Sequence, residues 1–124
     1  MGSSICLVNS HLTPHDHNLV KRITDYYMII TSQQFQSEKI SLILDHDIVF
    51  WFGDLNFRLD ANSYSAEEID ELLNGNKTEN LLLEDELSQV MFQKSAFSEF
   101  KESKISFKPT YKMIPGSSQI YDKK

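Results

Sequence analysis

Two kinds of apolar pattern alternate along the first half of the chain. Ser4 to Ser10 holds Ile5, Leu7 and Val8 in a short β-rich run, which predicts a buried strand. Thr13-Pro14 then reads as a helix start, with Thr13 as N-cap, Pro14 at the first helical position and Asp16 in the first turn. Leu19, Val20, Ile23, Tyr26, Tyr27 and Ile30 recur at helical spacing, predicting an amphipathic helix to about Gln33 whose Tyr and Ile stripe packs in the core. Asp45-His46-Asp47 reads as a turn, and Ile48 to Phe52 follows as a strand apolar on both faces and covered from both sides, ended by Gly53.

The second half is more broken. Ser65 and Glu68 form a capping box ahead of Ile69, Leu72 and Leu73. Leu83, Leu87, Val90 and Met91 predict a second short helix, and Phe97 with Phe100 a third. Lys104 to Tyr111 reads as irregular or short β, since Pro109 cannot sit in a central strand, and Pro115 to Lys124 reads as a loop. Strand, helix, strand and short helices together predict an α/β arrangement.

Composition narrows the class without naming a function. Hydrophobic residues make up 40% of the 124 and charged residues 24%, as in a globular domain. The net charge of −6 argues against sequence-independent binding to nucleic acid, which requires Lys and Arg to neutralise phosphates, but leaves room for one basic pocket. The single cysteine, Cys6, lies in an apolar run and reads as a buried side chain; with no second Cys, the chain suits a reducing compartment. No apolar run approaches the roughly 20 residues needed to span a bilayer. The Met1-Gly2 start fails the myristoylation pattern at Cys6, and Asn76-Lys77-Thr78 reads as a polar turn despite matching a glycosylation sequon.

The stretch that carries chemistry is Trp51-Phe52-Gly53-Asp54-Leu55-Asn56-Phe57-Arg58. If the chain stays extended, Asp54, Asn56 and Arg58 point to one side at the carboxyl end of a strand, where α/β sheets place their sites. An acid can orient or deprotonate water, an amide can hold a phosphoryl oxygen, and a guanidinium can take up phosphate charge. On the residues alone, a strand followed by an ordinary Asp/Asn turn is the favoured reading.

Phe50 to Arg58 resembles the WxGDxNxR signature of the inositol polyphosphate 5-phosphatases, within the deoxyribonuclease I-like phosphoesterase superfamily. Val8-Asn9-Ser10-His11-Leu12 is similar to that family's VNSHL strand end, Leu44-Asp45-His46-Asp47 to the run before its signature strand, and Phe107-Lys108-Pro109-Thr110-Tyr111-Lys112 to its F-x-PTYK segment. The resemblance runs from about Ser4 to Lys124. It implies part of a four-layer α/β sandwich, two packed mixed sheets flanked by helices.

It further implies that Asp54 positions water, that Asn56 contacts the scissile phosphate and that His11 donates to a phosphoryl oxygen, with Asn9 and Arg58 in support. Tyr111 and Lys112 would recognise the 4-phosphate of the inositol ring, and Lys123 or Lys124 would reach the same group. The implied cofactor is magnesium, held mainly by a glutamate upstream of VNSHL, and the implied substrate is a phosphoinositide or soluble inositol phosphate. The protein would be cytoplasmic, with peripheral membrane contact and no nucleic acid partner.

That glutamate, a PAWCDR-type motif and an S-D-H segment are absent from these residues. The expectation for 1–124 is therefore a partial catalytic domain, inactive alone and with no metal ligand of its own. The alternatives are a non-catalytic inositol-phosphate-binding fragment and, less favoured by the acidic balance and the PTYK segment, a nuclease. His15 and His17 read as surface residues facing different ways, and the acidic stretch from Glu67 to Glu86 as the wet face of short helices.

Overall fold

The computed structural model describes residues 2–37, 39–60, 63–117 and 120–122. The two β-rich runs form parallel strands, β1 (Ile5–His11) and β2 (Ile48–Asp54), in register from Ile5 opposite Ile48 to His11 opposite Asp54. The crossover between them carries α1 (Leu19–Ser32), which packs on one sheet face. Three short helices follow: α2 (Ala66–Asn74), α3 (Thr78–Leu82) and α4 (Glu86–Phe92).

The register is clamped where the strands begin. Asp47 Oδ2 accepts from the Ser4 N–H at 2.8 Å and from the Ser4 hydroxyl at 2.9 Å. The Asp47 N–H donates to Ser4 Oγ at 3.0 Å, and the Ile48 N–H to the Ser4 carbonyl at 3.1 Å. At the far end the Leu12 N–H bonds to the Asp54 carbonyl at 3.0 Å, carrying the ladder one residue beyond β1.

The core lies between the sheet and α1. Cys6 and Val8 of β1, Tyr26 and Ile30 of α1, and Leu12, Ile43, Val90, Ala96 and Phe97 are buried together, with Trp51 and Phe57 packed against them. Tyr26, Trp51 and Phe97 stack at centroid distances of 4.2 to 5.2 Å. The Tyr26 hydroxyl donates to Glu99 Oε2 at 2.7 Å; burial and this bond raise the phenol's pKa, and the same bond lowers that of Glu99.

Several sequence expectations are corrected. Thr13 does not cap α1: its N–H and hydroxyl both donate to Asp25 Oδ2, at 2.8 and 2.6 Å, and a 3₁₀ turn (Asp16–Asn18) precedes the α-helix. Val20 is 75% exposed and Tyr27 is exposed too, whereas Arg22, unread as a core residue, is 0% exposed. No helix forms around Phe97 and Phe100, because Lys94 and Phe97 both take left-handed backbone angles that turn the chain, and α3 was not foreseen. Glu86 belongs to no wet face; it is paired with Arg22.

The largest correction concerns the strands. Ile5, Leu7, Ile48, Phe50 and Phe52 lie on the face away from α1 and are exposed, so neither strand is covered on both sides. The accessible surface of 9326 Å² exceeds the roughly 6,800 Å² expected for a compact chain of this size.

Gly53 is where the sheet most needs its own residue. Its φ is +126°, and a methyl group there would meet the Ser10 carbonyl oxygen at 2.1 Å and Asn9 Oδ1 at 2.8 Å. Gly53→Ala is expected to cost about 3 kcal/mol or more, from strain and overpacking together. Urea unfolding followed by the fluorescence of the sole tryptophan, Trp51, tests this; an unchanged midpoint would overturn it.

Asp45 and Asp47 have lowered pKa values, Asp45 through the N–H groups of Leu42 and Ser41 and Asp47 through Ser4. Their stabilisation is complete above the ordinary carboxylate range near pH 4 and is lost as pH falls through the lower folded values. Asp47→Ala should therefore flatten the acid limb of the pH–stability curve and lower the midpoint at pH 7, which urea titrations from pH 2.5 to 7 would measure.

Candidate active site

The carboxyl ends of β1 and β2 bring together residues 43 positions apart, His11 and Asp54. His11 Nε2 lies 3.5 Å from Asp54 Oδ2, with the two side chains 72% and 66% exposed. A pair so open contributes little to stability, so its placement there is available for chemistry. Asn9 shares the open face with His11, two residues back along β1, and its side chain lies beside Gly53.

Beyond Asp54 the chain does not stay extended as the alternation implied. Asn56 has φ +56°, a left-handed angle that Asn tolerates better than most residues. The resulting turn lets the Asn56 N–H bond to Asp54 Oδ1 at 3.2 Å, while Asn56 Nδ2 donates to the Leu12 carbonyl at 2.9 Å. Asn56 Oδ1 accepts from Arg58 Nη2 at 3.1 Å, and Arg58 Nε lies 3.7 Å from Asp16 Oδ1. Convergence of acid, amide and guanidinium is thus achieved by a turn and a hydrogen-bond chain.

Tyr111 and Lys112 share with Arg58 a cavity of about 480 Å³, also lined by Ile69, Asp85 and Pro109, whose lining includes neither His11 nor Asp54. Tyr111 is 78% exposed, and Lys112 Nζ pairs with Asp122 Oδ2 at 2.7 Å, which raises the lysine pKa. Lys123 and Lys124 lie outside the described residues. His15 and His17 are exposed as expected, yet their rings are stacked 6.1 Å apart and 6° from parallel, so they do not face different ways. Among the described residues no group of three or more His, Cys, Asp or Glu could hold a metal ion.

Sequence reading missed the residues that hold this edge in place. Trp51 Nε1 donates to Ser10 Oγ at 2.8 Å, tying the signature strand to the VNSHL end. Arg22, Asp25 and Glu86 anchor the two loops from behind. The signal for Arg22 was present: it lies three residues after Leu19 and four before Tyr26, within the helix's apolar stripe.

A strand-end acid, an amide and a guanidinium joined in this way are the kinds of group that phosphoester chemistry draws on. The whole chain, residues 1–124, matches the endonuclease/exonuclease/phosphatase family 2, and it belongs to that family. It is 35% identical over 121 residues to phosphatidylinositol 4,5-bisphosphate 5-phosphatase A of Rattus norvegicus, with 98% of this chain and 12% of that protein aligned. It is 34% identical to the type II inositol 1,4,5-trisphosphate 5-phosphatase of Mus musculus, over 94% of this chain and 12% of the relative.

Among solved structures, the inositol polyphosphate 5-phosphatase domain of SPsynaptojanin, in complex with inositol (1,4)-bisphosphate and calcium ion, superposes with a TM-score of 0.87 at 34% identity. That match covers 98% of this chain and 34% of that one. The α/β class read from the sequence agrees with this neighbour.

Asn56→Ala is expected to destabilise the chain by about 1–3 kcal/mol, because the Leu12 carbonyl loses its side-chain donor and Ala resists the left-handed angle. Urea unfolding would measure the loss, and an unperturbed midpoint would remove Asn56 as the link between the loops.

Proposed function

We propose that this chain provides the water-orienting and phosphate-binding strand ends of an inositol polyphosphate 5-phosphatase domain. The reaction is hydrolysis of the 5-phosphate of phosphatidylinositol 4,5-bisphosphate or a related inositol phosphate. The observation that carries the reading is the placement of His11 opposite Asp54, with Asn56 joined to Arg58 beside them. In this reading 1–124 is part of a four-layer sandwich, and the apolar face of β1 and β2 packs against further structure of that domain.

Asp54 orients the attacking water and accepts its proton as the new P–O bond forms in line with the inositol oxygen, which leaves with the electron pair of the broken P–O bond and takes up a proton from solvent. His11 donates through its ring N–H to a phosphoryl oxygen as charge develops there. Asn56 contacts the scissile phosphate with the amide hydrogen left over after its bond to Leu12. Arg58 adds positive charge, and Asn9 steadies the strand end beside it. Tyr111, Lys112 and Lys124 are assigned to the 4-phosphate, which accepts several donors and favours a cation.

Mg²⁺ is usually held by one or two carboxylates with waters completing a near-octahedral shell, and in this reading its main carboxylate is the glutamate upstream of VNSHL. The magnesium of the proposed reaction belongs to a site completed by residues outside this chain. A lipid substrate would bring the whole protein to a membrane surface from the cytoplasm; no helix among the described residues is long and apolar enough to cross one.

The test exchanges these 124 residues for the equivalent 34% of the synaptojanin domain and measures phosphate release from a soluble phosphatidylinositol 4,5-bisphosphate analogue. Magnesium-dependent release that falls about 10³-fold on Asp54→Ala is the expected result. Binding without turnover, insensitive to magnesium, would replace this reading with that of a non-catalytic inositol-phosphate binder. Preferential cleavage of DNA would replace it with that of a nuclease.

A further inference from the structure

Arg22 is a fully buried guanidinium in a small core, a costly arrangement unless its charge is paired. Its partner is Glu86 at the start of α4, with Nη2 to Oε2 at 2.7 Å. The two Nη groups also reach into the loop after β1, while Nε is buried with no hydrogen-bond partner: Nη1 donates to the His15 carbonyl at 2.7 Å and the Thr13 carbonyl at 3.4 Å, and Nη2 to the Asp16 carbonyl at 3.3 Å. Its guanidinium carbon also sits 5.6 Å from the centre of the Phe57 ring.

Glu86 grips the second loop. The same Oε2 accepts the Arg58 N–H at 3.0 Å, and the Glu86 N–H donates back to the Arg58 carbonyl at 2.9 Å. One ion pair therefore touches the backbone on both sides of the candidate site, two residues after His11 on one side and at Arg58 on the other. Asp25, three residues after Arg22 on α1, adds a second hold on Thr13.

We propose that Arg22 and Glu86 are positioning residues, which set the separation of the His11 and Arg58 loops and so pre-align the phosphate-binding edge. This rests on the reading of that edge as phosphate-handling. Neither residue touches the reacting atoms in this assignment. A lysine at 22 could not serve, having no planar fork to span a carboxylate and three carbonyls.

The test uses the ¹⁵N-labelled chain and two variants chosen to separate stability from position. In the double variant Arg22→Met/Glu86→Leu the buried charges go together, so stability should stay near that of the parent, while the Arg58 N–H loses its acceptor. Its amide exchange should speed up about tenfold relative to the Val8 amide in β1, and the Asn56 side-chain amide, which neither mutated residue contacts, should lose protection from its bond to Leu12. In Glu86→Gln the acceptor survives but the Arg22 charge is unpaired, so thermal stability should fall while Arg58 and Asn56 keep their protection relative to Val8.

That crossed pattern supports the proposal. Protection at Arg58 and Asn56 that simply follows thermal stability in the variants would overturn it, leaving an ordinary buried ion pair. If one variant fails to fold, the other decides alone. An inactive synaptojanin chimera with Arg22 and Glu86 intact would count against the phosphatase reading only, since the exchange readout needs no turnover.

Discussion

The candidate site of this chain depends on one parallel strand pairing. Two strands alone are a weak unit, and these two are joined through a crossover of 36 residues, from Leu12 to Asp47, whose closure costs entropy. The pairing is held by tertiary means: the reciprocal Ser4–Asp47 clamp at its start, the Trp51–Ser10 bond near its end, and an aromatic cluster against α1. Its reward is positional, because the last paired residues are His11 and Asp54.

How far the sequence disclosed this varies with the range of the interaction responsible. Both strands, the long helix and the Ser65–Glu68 capping box follow from local pattern; the structure has the strands within two residues of the expected bounds and the helix ending as expected but beginning only at Leu19. The start of α1 was misread because Thr13 serves Asp25, a partner twelve residues on, in place of the helix N-terminus. The buried role of Glu86 was hidden for the same reason, since its partner Arg22 is 64 residues away. Acidic residues within a polar stretch give no local sign that one of them will answer a buried cation.

For the candidate site, the sequence showed which residues the strand ends bring together more than how they are brought together. Motif spacing named His11, Asp54, Asn56 and Arg58, but period-two alternation gave the wrong means of bringing them together. A left-handed Asn56 does that work, and only the hydrogen bond to Leu12 explains why the turn falls there. The open apolar face of β1 and β2 was likewise readable as apolar but not as uncovered. Periodicity reports which residues avoid water, not what covers them, and a bare apolar sheet face of this kind is a surface for association.

The paired register also divides the chain into parts that can and cannot change length. Residues added after α1, around Gln34 to Ser37, would lengthen an exposed loop and leave the strand ends where they are. A single residue inserted within Ile5–His11, with Ser4 still clamped to Asp47, would carry His11 past Asp54 and turn it toward the opposite face. The paired strands can therefore accept substitutions but not a change of length, which the loop after α1 can absorb.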